Sequence, residues 1–217
     1  MHLSRSEADV IEARTAHLEA QTGVQVATAV VGKSDHYAEI PWKAFALGAA
    51  LAALAVVAFD ALHPDWVSSH AALAHALAIL GTGAADALLA IFIPAYGRVF
   101  LSSAHAADEV RHYAESMFLR RRMFDSRGRN GILVLISCFE RRVEIIADTG
   151  LDSRVGAAQW RTVVDSMTPH LVAGNVALAL QGGLQRLEQI LRDKGLEPAW
   201  DDRNDIADRP IEERGAK

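Results

Sequence analysis

Asp125, Asn130 and Asp148 carry the side-chain oxygens in this sequence that are best suited to hold a divalent cation. Carboxylate and amide oxygens are the hard ligands that Ca²⁺ and Mg²⁺ prefer. Arg129 and Arg154 carry guanidinium groups, which can bind a phosphate through paired hydrogen bonds. A cation held beside such arginines can activate a water molecule for attack on a phosphomonoester. These five residues therefore form a candidate metal and phosphate site, with Ca²⁺ or Mg²⁺ as the expected ion.

The candidate site depends on the ends of two expected strands. Asn130 lies at the start of one expected strand, and Asp148 comes directly after the next. If the two strands pair antiparallel, both residues lie at the same edge of the sheet. Asp125 belongs to the adjoining loop, and a helix that begins near residues 152–154 would direct its N-terminus toward a bound anion. A simpler interpretation stays open, in which Asp148 caps the following turn and Asn130 belongs to a turn before the strand.

Five arginines within ten residues form a strongly basic cluster. A phosphorylated ligand, an acidic partner or an anionic lipid surface would each suit such a cluster, and so would plain exposure to water. The cluster consists of Arg120, Arg121, Arg122, Arg127 and Arg129.

Three short runs rich in β-branched residues position these side chains. Residues 24–31, 132–137 and 143–147 are typical of buried strands. The link between the second and third runs is too short for a parallel crossover, so these strands pair antiparallel. A helix that begins at Ser103 connects the first strand to the second, which predicts a parallel pair. With further helices near the N-terminus and after residue 152, the expected fold is α/β: a small mixed β-sheet flanked by helices on both faces.

A concentrated apolar segment interrupts this fold. Residues 42–62 and 73–93 each form an apolar helix of about 32 Å, against a hydrocarbon core of about 30 Å. We interpret residues 41–101 as an inserted transmembrane helical hairpin, and a pair of buried helices in a soluble protein is the alternative. The remaining divisions are residues 1–40 and 102–197 as the two parts of one domain, and residues 198–217 as a charged C-terminal tail.

Three polar residues lie inside the expected hairpin. An acidic residue within a membrane is costly, at about 2.5–3.5 kcal/mol near the middle of a span. Asp86 lies at the depth of Gly48, where small residues allow the helices to approach closely. Asp60 and His75 lie at matching depth near the outer turn and could pair. Asp86 is therefore expected to support helix packing within one chain or between copies in a homo-oligomer.

Basic residues flank the hairpin, whereas its connector has none. The positive-inside rule then places both termini and the domain in the cytoplasm, in a multi-pass protein of the inner membrane. The first 23 residues contain no apolar run, so no export signal is expected. The net charge of −5 argues against nucleic acid as a partner. The single cysteine, Cys138, excludes an internal disulfide.

Several segments resemble the TPM-domain family, which includes a thylakoid acid phosphatase and photosystem-repair proteins. The similar segments are TGVQVATAVV, RNGILVLIS, VEIIADTGLDSRVGAAQW, HLVAGNVALALQGGL and NDIADRP. Their order and spacing indicate the bacterial cytoplasmic branch, with a transmembrane insert. The resemblance implies either an interaction or assembly accessory module at the cytoplasmic membrane, with a LemA-type membrane protein as a partner, or a divalent-metal-dependent acid phosphatase. The plastid members act in the lumen, whereas this chain is expected to remain in the cytoplasm.

Overall fold

The computed structural model describes residues 3–64, 70–125, 128–152, 154–197 and 208–216. The chain divides into two compact units. The first contains residues 1–35 and 107–217 and is called the α/β unit here, and the second runs from His36 to Ala106 and is called the hairpin unit. The hairpin unit is slightly wider than the insert expected from the sequence.

The α/β unit is built on a four-stranded mixed sheet with the order β3-β2-β1-β4. The strands are β1 (Gln25–Val31), β2 (Gly131–Ser137), β3 (Arg142–Ala147) and β4 (Ile211–Glu213). β1 pairs parallel with β2, and β2 pairs antiparallel with β3. The expected small mixed sheet is confirmed, together with the direction of its first three strands.

β4 corrects the expectation of a tail. The three residues of β4 pair parallel with β1, in the register Ala29 to Ile211 through Val31 to Glu213. Residues 198–207 lie outside the described residues, but the end of the chain forms part of the sheet. The charged composition of residues 198–217 conceals this strand, because β4 has only three residues and two of them are glutamates.

Helices cover both faces of the sheet. α1 (Arg5–Thr22), α7 (Ala157–Val172) and α8 (Val176–Asp193) contribute to the core on one face, and α5 (Ser103–Arg120) contributes to the core on the other. β1 supplies Val26 and Val30 to the first core and Ala27, Ala29 and Val31 to the second. All seven residues of β1 are buried, which explains why its sequence is apolar without strict alternation.

Local signals fix the ends of several helices. Ser4 and Glu7 form a capping box at the start of α1, and Gly23 ends that helix in a left-handed conformation with φ of 66°. The Asn175 side chain accepts a hydrogen bond from the backbone N–H of Leu178 and caps α8. The helix expected from residue 153 begins at Ala157, and the short helix α6 (Thr149–Asp152) precedes it.

The hairpin unit contains two long apolar helices, α2 (Glu39–Leu62) and α3 (Ala71–Phe92), followed by the short helix α4 (Pro94–Gly97). α2 and α3 are both long and apolar enough to cross a membrane. Only 6% of the most apolar window of α2 is buried, and 11% of that of α3. The helices pack against each other and leave most of their leucine side chains exposed.

Candidate functional site

The Asp148 edge is the end of the sheet formed by the start of β2 and the end of β3. The register pairs Ile132 with Ala147, so Gly131 and Asp148 lie side by side at this end. The backbone N–H of Asp148 donates to the carbonyl of Gly131 at 2.9 Å. The structure therefore brings the predicted residues Asn130 and Asp148 to one edge, because the short β2–β3 connection makes the two strands antiparallel.

The Asp148 carboxylate is buried, with a side-chain exposure of 5%. Its Oδ1 accepts hydrogen bonds from the Thr149 backbone N–H at 2.7 Å and from the Thr149 hydroxyl at 3.2 Å. The Arg129 guanidinium lies 3.9 Å from the same oxygen. Oδ2 is buried and has no hydrogen-bond partner. Asp148 thus caps α6 with one oxygen, as the simpler interpretation expects, and leaves the other oxygen available to a ligand.

Asn130 and Asp125 have different surroundings. The Asn130 side-chain amide donates to the carbonyl of Gly23, which ties the start of β2 to the end of α1. Asp125 is exposed, and its carboxylate lies 4.0 Å from the guanidinium of Arg122. Arg154 is also exposed, in the turn that follows α6. The roles of these residues as metal or phosphate ligands remain predictions.

The backbone is crowded around the Asp148 edge. A Cβ atom on Gly131 would overlap with the carbonyl oxygen of Met123, and one on Gly150 would overlap with that of Arg129. Arg129 adopts a left-handed conformation with φ of 49°, which is uncommon for a residue with a side chain. The two glycines therefore allow Met123 to approach the start of β2, and Arg129 to approach α6 beside Asp148.

Within the described parts of the chain, no three histidine, cysteine, aspartate or glutamate side chains converge to hold a metal. A cation at the Asp148 edge would therefore depend on Asp148 Oδ2 together with amide, main-chain or water oxygens. Ca²⁺ and Mg²⁺ accept such mixed oxygen ligands. The unpartnered buried oxygen of Asp148 fits a cation, whereas Asp125 is turned to Arg122.

The arginine cluster has an acidic partner within the chain itself. Arg120 and Arg121 each place a guanidinium 3.7 Å from the Glu213 carboxylate of β4. The Tyr113 hydroxyl donates to the same carboxylate at 2.7 Å. Burial, assisted by this hydrogen bond and by the charge of Glu213, raises the pKa of Tyr113 to about 12. Arg127 lies outside the described residues.

The polar residues of the hairpin pair as the sequence suggests. A Cβ atom on Gly48 would lie 2.6 Å from Asp86 Oδ2, so the acid packs directly against the glycine of the other helix. Tyr96 of α4 lies close enough to the Asp86 carboxylate to interact with it electrostatically. His75 Nε2 lies 3.5 Å from Asp60 Oδ1. Each acid thus has a polar partner inside the hairpin unit, which lowers the cost of placing it in an apolar medium.

A second group of polar residues in the hairpin unit was not among the predicted site residues. The Glu39 carboxylate at the start of α2 lies 3.8 Å from His105 and 3.9 Å from Lys43. Lys43 donates to the carbonyl of Phe100 at 3.4 Å, and the ring of Tyr37 meets His105 edge-on at 5.7 Å. These contacts join the two ends of the hairpin unit. The contacts to Phe100 and His105 had no signal in the sequence, because they join residues more than 50 positions apart.

A buried network of hydroxyl and carboxylate groups lies at the C-terminal ends of β1 and β2, away from the Asp148 edge. The Ser34 hydroxyl donates to Ser137 Oγ at 3.0 Å, and Ser137 donates to Glu140. The backbone N–H of Ser34 donates to Glu140 at 2.8 Å. A serine beside a carboxylate can act as a nucleophile, but both hydroxyls are buried here. The network therefore fastens the segment after β1 to the β2–β3 turn.

Comparison with known proteins agrees with this fold. Residues 98–190 match the family model of the TPM domain. The chain is similar in structure to the BA42 protein of the psychrophilic bacterium Bizionia argentinensis, solved by NMR, with a TM-score of 0.58 and 12% sequence identity. The similarity covers 98% of this chain and 96% of the BA42 chain. At that identity it concerns the fold alone. No curated protein matches the chain.

The fold, with its mixed sheet between helices, defines a small α/β protein with an apolar helical insert. Residues 98–190, which run from just before α5 into α8, are similar to the TPM domain.

Proposed function

We propose that this chain is a membrane-anchored TPM-domain protein that acts as an interaction or assembly accessory module at the cytoplasmic membrane. The α2–α3 hairpin spans the bilayer in this proposal, and the α/β unit faces the cytoplasm. The protein is then held at the surface where membrane proteins are assembled or regulated.

The exposed apolar surface of α2 and α3 carries this proposal. A core helix of a soluble protein buries its apolar residues, whereas these helices expose leucines on all but their mutual contact face. Soluble proteins rarely expose apolar patches of more than a few hundred Å². A bilayer removes that surface from water, and the backbone hydrogen bonds of both helices are satisfied internally, as a spanning segment requires.

The charge pattern supports the orientation. Lys43 lies near the start of α2, and Arg98 follows α4. Both lie on the side of the hairpin unit where the chain enters and leaves, and cytoplasmic flanks are enriched in such residues. Lys43 can place its ammonium group at the interface while its aliphatic stem remains in the apolar region.

The proposed partner is a membrane protein of the LemA type, as the family resemblance implies, with homo-oligomers through the hairpin as a second mode. Close packing at Gly48 and Asp86 already occupies one face of each helix. The remaining leucine-rich faces are available to lipid or to the spans of a partner.

Membrane extraction and a topology reporter test the anchor. We expect the full chain to remain in the membrane pellet after alkaline carbonate and to dissolve in detergent. A reporter enzyme that is active only outside the cytoplasm should be active after residue 69 and inactive at the C-terminus. Release by carbonate, or an inactive reporter after residue 69, would refute the spanning hairpin.

Exchange of the hairpin tests whether it only anchors the chain or also binds a partner. Residues 41–101 are exchanged for an unrelated two-span hairpin, which keeps the α/β unit at the membrane. A co-expressed LemA-type protein should be retained by the wild-type chain and lost by the exchanged chain. Equal retention by both chains would place the partner contact outside the hairpin, and loss of capture by both would remove the proposed partner.

The buried and unpartnered Oδ2 of Asp148 favours a second candidate, a divalent-metal-dependent phosphatase acting on phosphomonoesters. Asp148 would hold a cation, which when bound supplies a charge that activates water. Arg129 lies beside Asp148 and would bind phosphate oxygens. Arg154 would add a second guanidinium to the same anion.

Calorimetry on the full chain in detergent, with Ca²⁺, Mg²⁺ and Mn²⁺, tests this candidate. We expect binding by the wild-type chain to be lost in Asp148→Asn and kept in Asp193→Asn, an exposed carboxylate at the end of α8. Hydrolysis of p-nitrophenyl phosphate should follow the same pattern. A folded wild-type chain that binds none of the three ions would contradict the phosphatase and leave the accessory module standing.

A further inference from the structure

The last described segment of the chain, residues 208–216, lies along the edge of β1 and pairs with it through backbone hydrogen bonds. Besides the ladder of β4, the backbone N–H of Gly32 donates to the carbonyl of Glu213 at 3.0 Å. The N–H of Ala216 donates to the carbonyl of Lys33 at 3.0 Å. Adding an extended segment to an open sheet edge is a general mode of peptide recognition, in which the backbone supplies affinity and the alternate side chains supply specificity.

Alternate side chains of β4 make the specific contacts. Ile211 packs against the core on the α5 face of the sheet. Glu213, two residues later, accepts the hydrogen bond from Tyr113 and faces Arg120 and Arg121. Glu212 lies between them and is exposed. The edge thus contacts an apolar residue and, two positions later, a carboxylate.

Two glycines adapt the edge and the segment to each other. A Cβ atom on Gly32 would lie 2.7 Å from the carbonyl oxygen of Arg214. A Cβ atom on Gly215 would overlap with the carbonyl of Lys33, and Gly215 adopts a left-handed conformation with φ of 85°. The close approach of the two backbones therefore needs glycine on both sides.

β4 is a short edge strand, and we expect it to detach from the sheet more easily than the other strands. Three residues pair on one side only, and both arginines that face Glu213 are half exposed. Exposed ion pairs contribute about 0–1 kcal/mol each. Short edge segments with few buried contacts belong to the least stable part of a protein.

We propose that the β1 edge, with Tyr113, Arg120 and Arg121, is a strand-acceptor site that takes the C-terminal segment of a second copy of this chain in place of its own. The register, the carboxylate contacts and the glycine contacts involve only the segment and the acceptor, so a segment from another copy makes the same contacts. Exchange of an identical element is a low-cost route to a dimer. This site is separate from the Asp148 edge and does not depend on the proposed function.

A labelled peptide of residues 208–217 tests the acceptor on full-length chains in detergent. Glu213→Lys places a cation opposite Arg120 and Arg121, and it should displace the chain's own strand. We expect the peptide to bind this variant at least about tenfold more tightly than the wild-type chain, whose site is filled. Asp193→Lys makes the same charge change at the exposed end of α8 and should bind like the wild type. Equal binding to all three chains, or none to a folded Glu213→Lys chain, overturns the proposal.

Complementation between two defective copies tests exchange itself. One chain carries Glu213→Lys, with an intact acceptor and a defective strand. The other carries Arg120→Glu and Arg121→Glu, with a defective acceptor and an intact strand. The two variants carry different tags, so capture of one by the other can be measured in a mixture. We expect this capture to exceed the capture of each variant by a second copy of itself. Self-capture is the background, because it measures association through the hairpin alone. Capture no higher than that background overturns the proposal and makes β4 an intramolecular clasp.

Discussion

β1 and α2 both consist mainly of apolar residues, but β1 is buried and most of α2 is not. All seven residues of β1 are buried, whereas α2 buries only Ile40, Ala44 and Gly48 of its 24 residues. Burial removes the side chains of β1 from water through the protein's own helices. The chain itself does not cover the side chains of α2, and a helix of this length and composition is long enough to cross a bilayer. The two units therefore differ in whether the chain itself removes their apolar side chains from water.

Truncation of one leucine in each unit gives the largest expected contrast. Leu180 of α8 is fully buried, and Leu180→Ala should lower the free energy of unfolding by about 2–5 kcal/mol. Leu54 of α2 is 67% exposed, and Leu54→Ala should change it by less than about 0.5 kcal/mol, because detergent contacts the side chain in both states. Circular dichroism during chemical unfolding in detergent measures both. Comparable losses would mean that α2 is a buried core helix.

A β-branched side chain at the helix contact should give the next largest effect. Gly48→Val forces a Cβ against Asp86, which should destabilise the hairpin by about 1–3 kcal/mol. Gly81 has no atom within 4 Å of its would-be Cβ, so Gly81→Val is the matched control and should be close to neutral. Thermal unfolding of the two variants in detergent compares them. A neutral Gly48→Val would show that the hairpin is held together elsewhere.

Glu144 of β3 should make the stability of the α/β unit depend on pH. Burial raises the pKa of Glu144 above its ordinary value of 4.5, and Glu115 adds to the rise, whereas Arg111 and Arg142 oppose it. The folded state thus binds the proton more tightly than the unfolded state. The resulting stability is fully present below pH 4.5 and is lost as the pH rises through the raised pKa.

Glu144→Gln removes this titration from the folded and the unfolded chain. The decline in the free energy of unfolding above pH 4.5 should become shallower in the variant than in the wild type. Chemical unfolding at a series of pH values measures the two slopes. Identical slopes would mean that Glu144 is fully hydrated in the folded state.

The contact between the Asp60 and His75 side chains should give the smallest effect. The two side chains lie 3.5 Å apart near the end of the hairpin, and Asp60 is half exposed. Asp60→Asn is expected to change the stability by less than about 1 kcal/mol, as for other exposed pairs. Thermal unfolding in detergent would detect a larger loss, which would mean that the pair is shielded from solvent.

Much of the fold could be read from local sequence. The β-branched runs gave the first three strands, and the short link between two of them fixed an antiparallel pair. The Ser4 capping box and Gly23 at the two ends of α1 are local signals of the same kind. The contacts of Asp60 with His75 and of Asp86 with Gly48 followed from equal depth along two antiparallel helices, whereas Tyr96 beside Asp86 was not foreseen. These features depend on spacing along one element or across one short connection, which a sequence states directly.

Only part of the candidate site could be predicted from the sequence. The pairing of β2 and β3 brings Asn130 and Asp148 together, as their positions in the sequence predict. The fixed tie of Asn130 to Gly23 and the pairing of Asp125 with Arg122 were not foreseen. Both depend on side-chain rotamers and on the path of a loop, and composition does not determine either.

The sequence by itself determined where apolar runs begin and end, which runs become strands or long helices, and which acids lie at matching depth. These properties follow from periodicity, caps and link lengths. Only the tertiary structure decided that Ile211–Glu213 joins the sheet and that Glu213 meets Tyr113, Arg120 and Arg121. A parallel pair of three residues, about 180 positions apart, leaves no local pattern, because its stability comes from the edge that receives it.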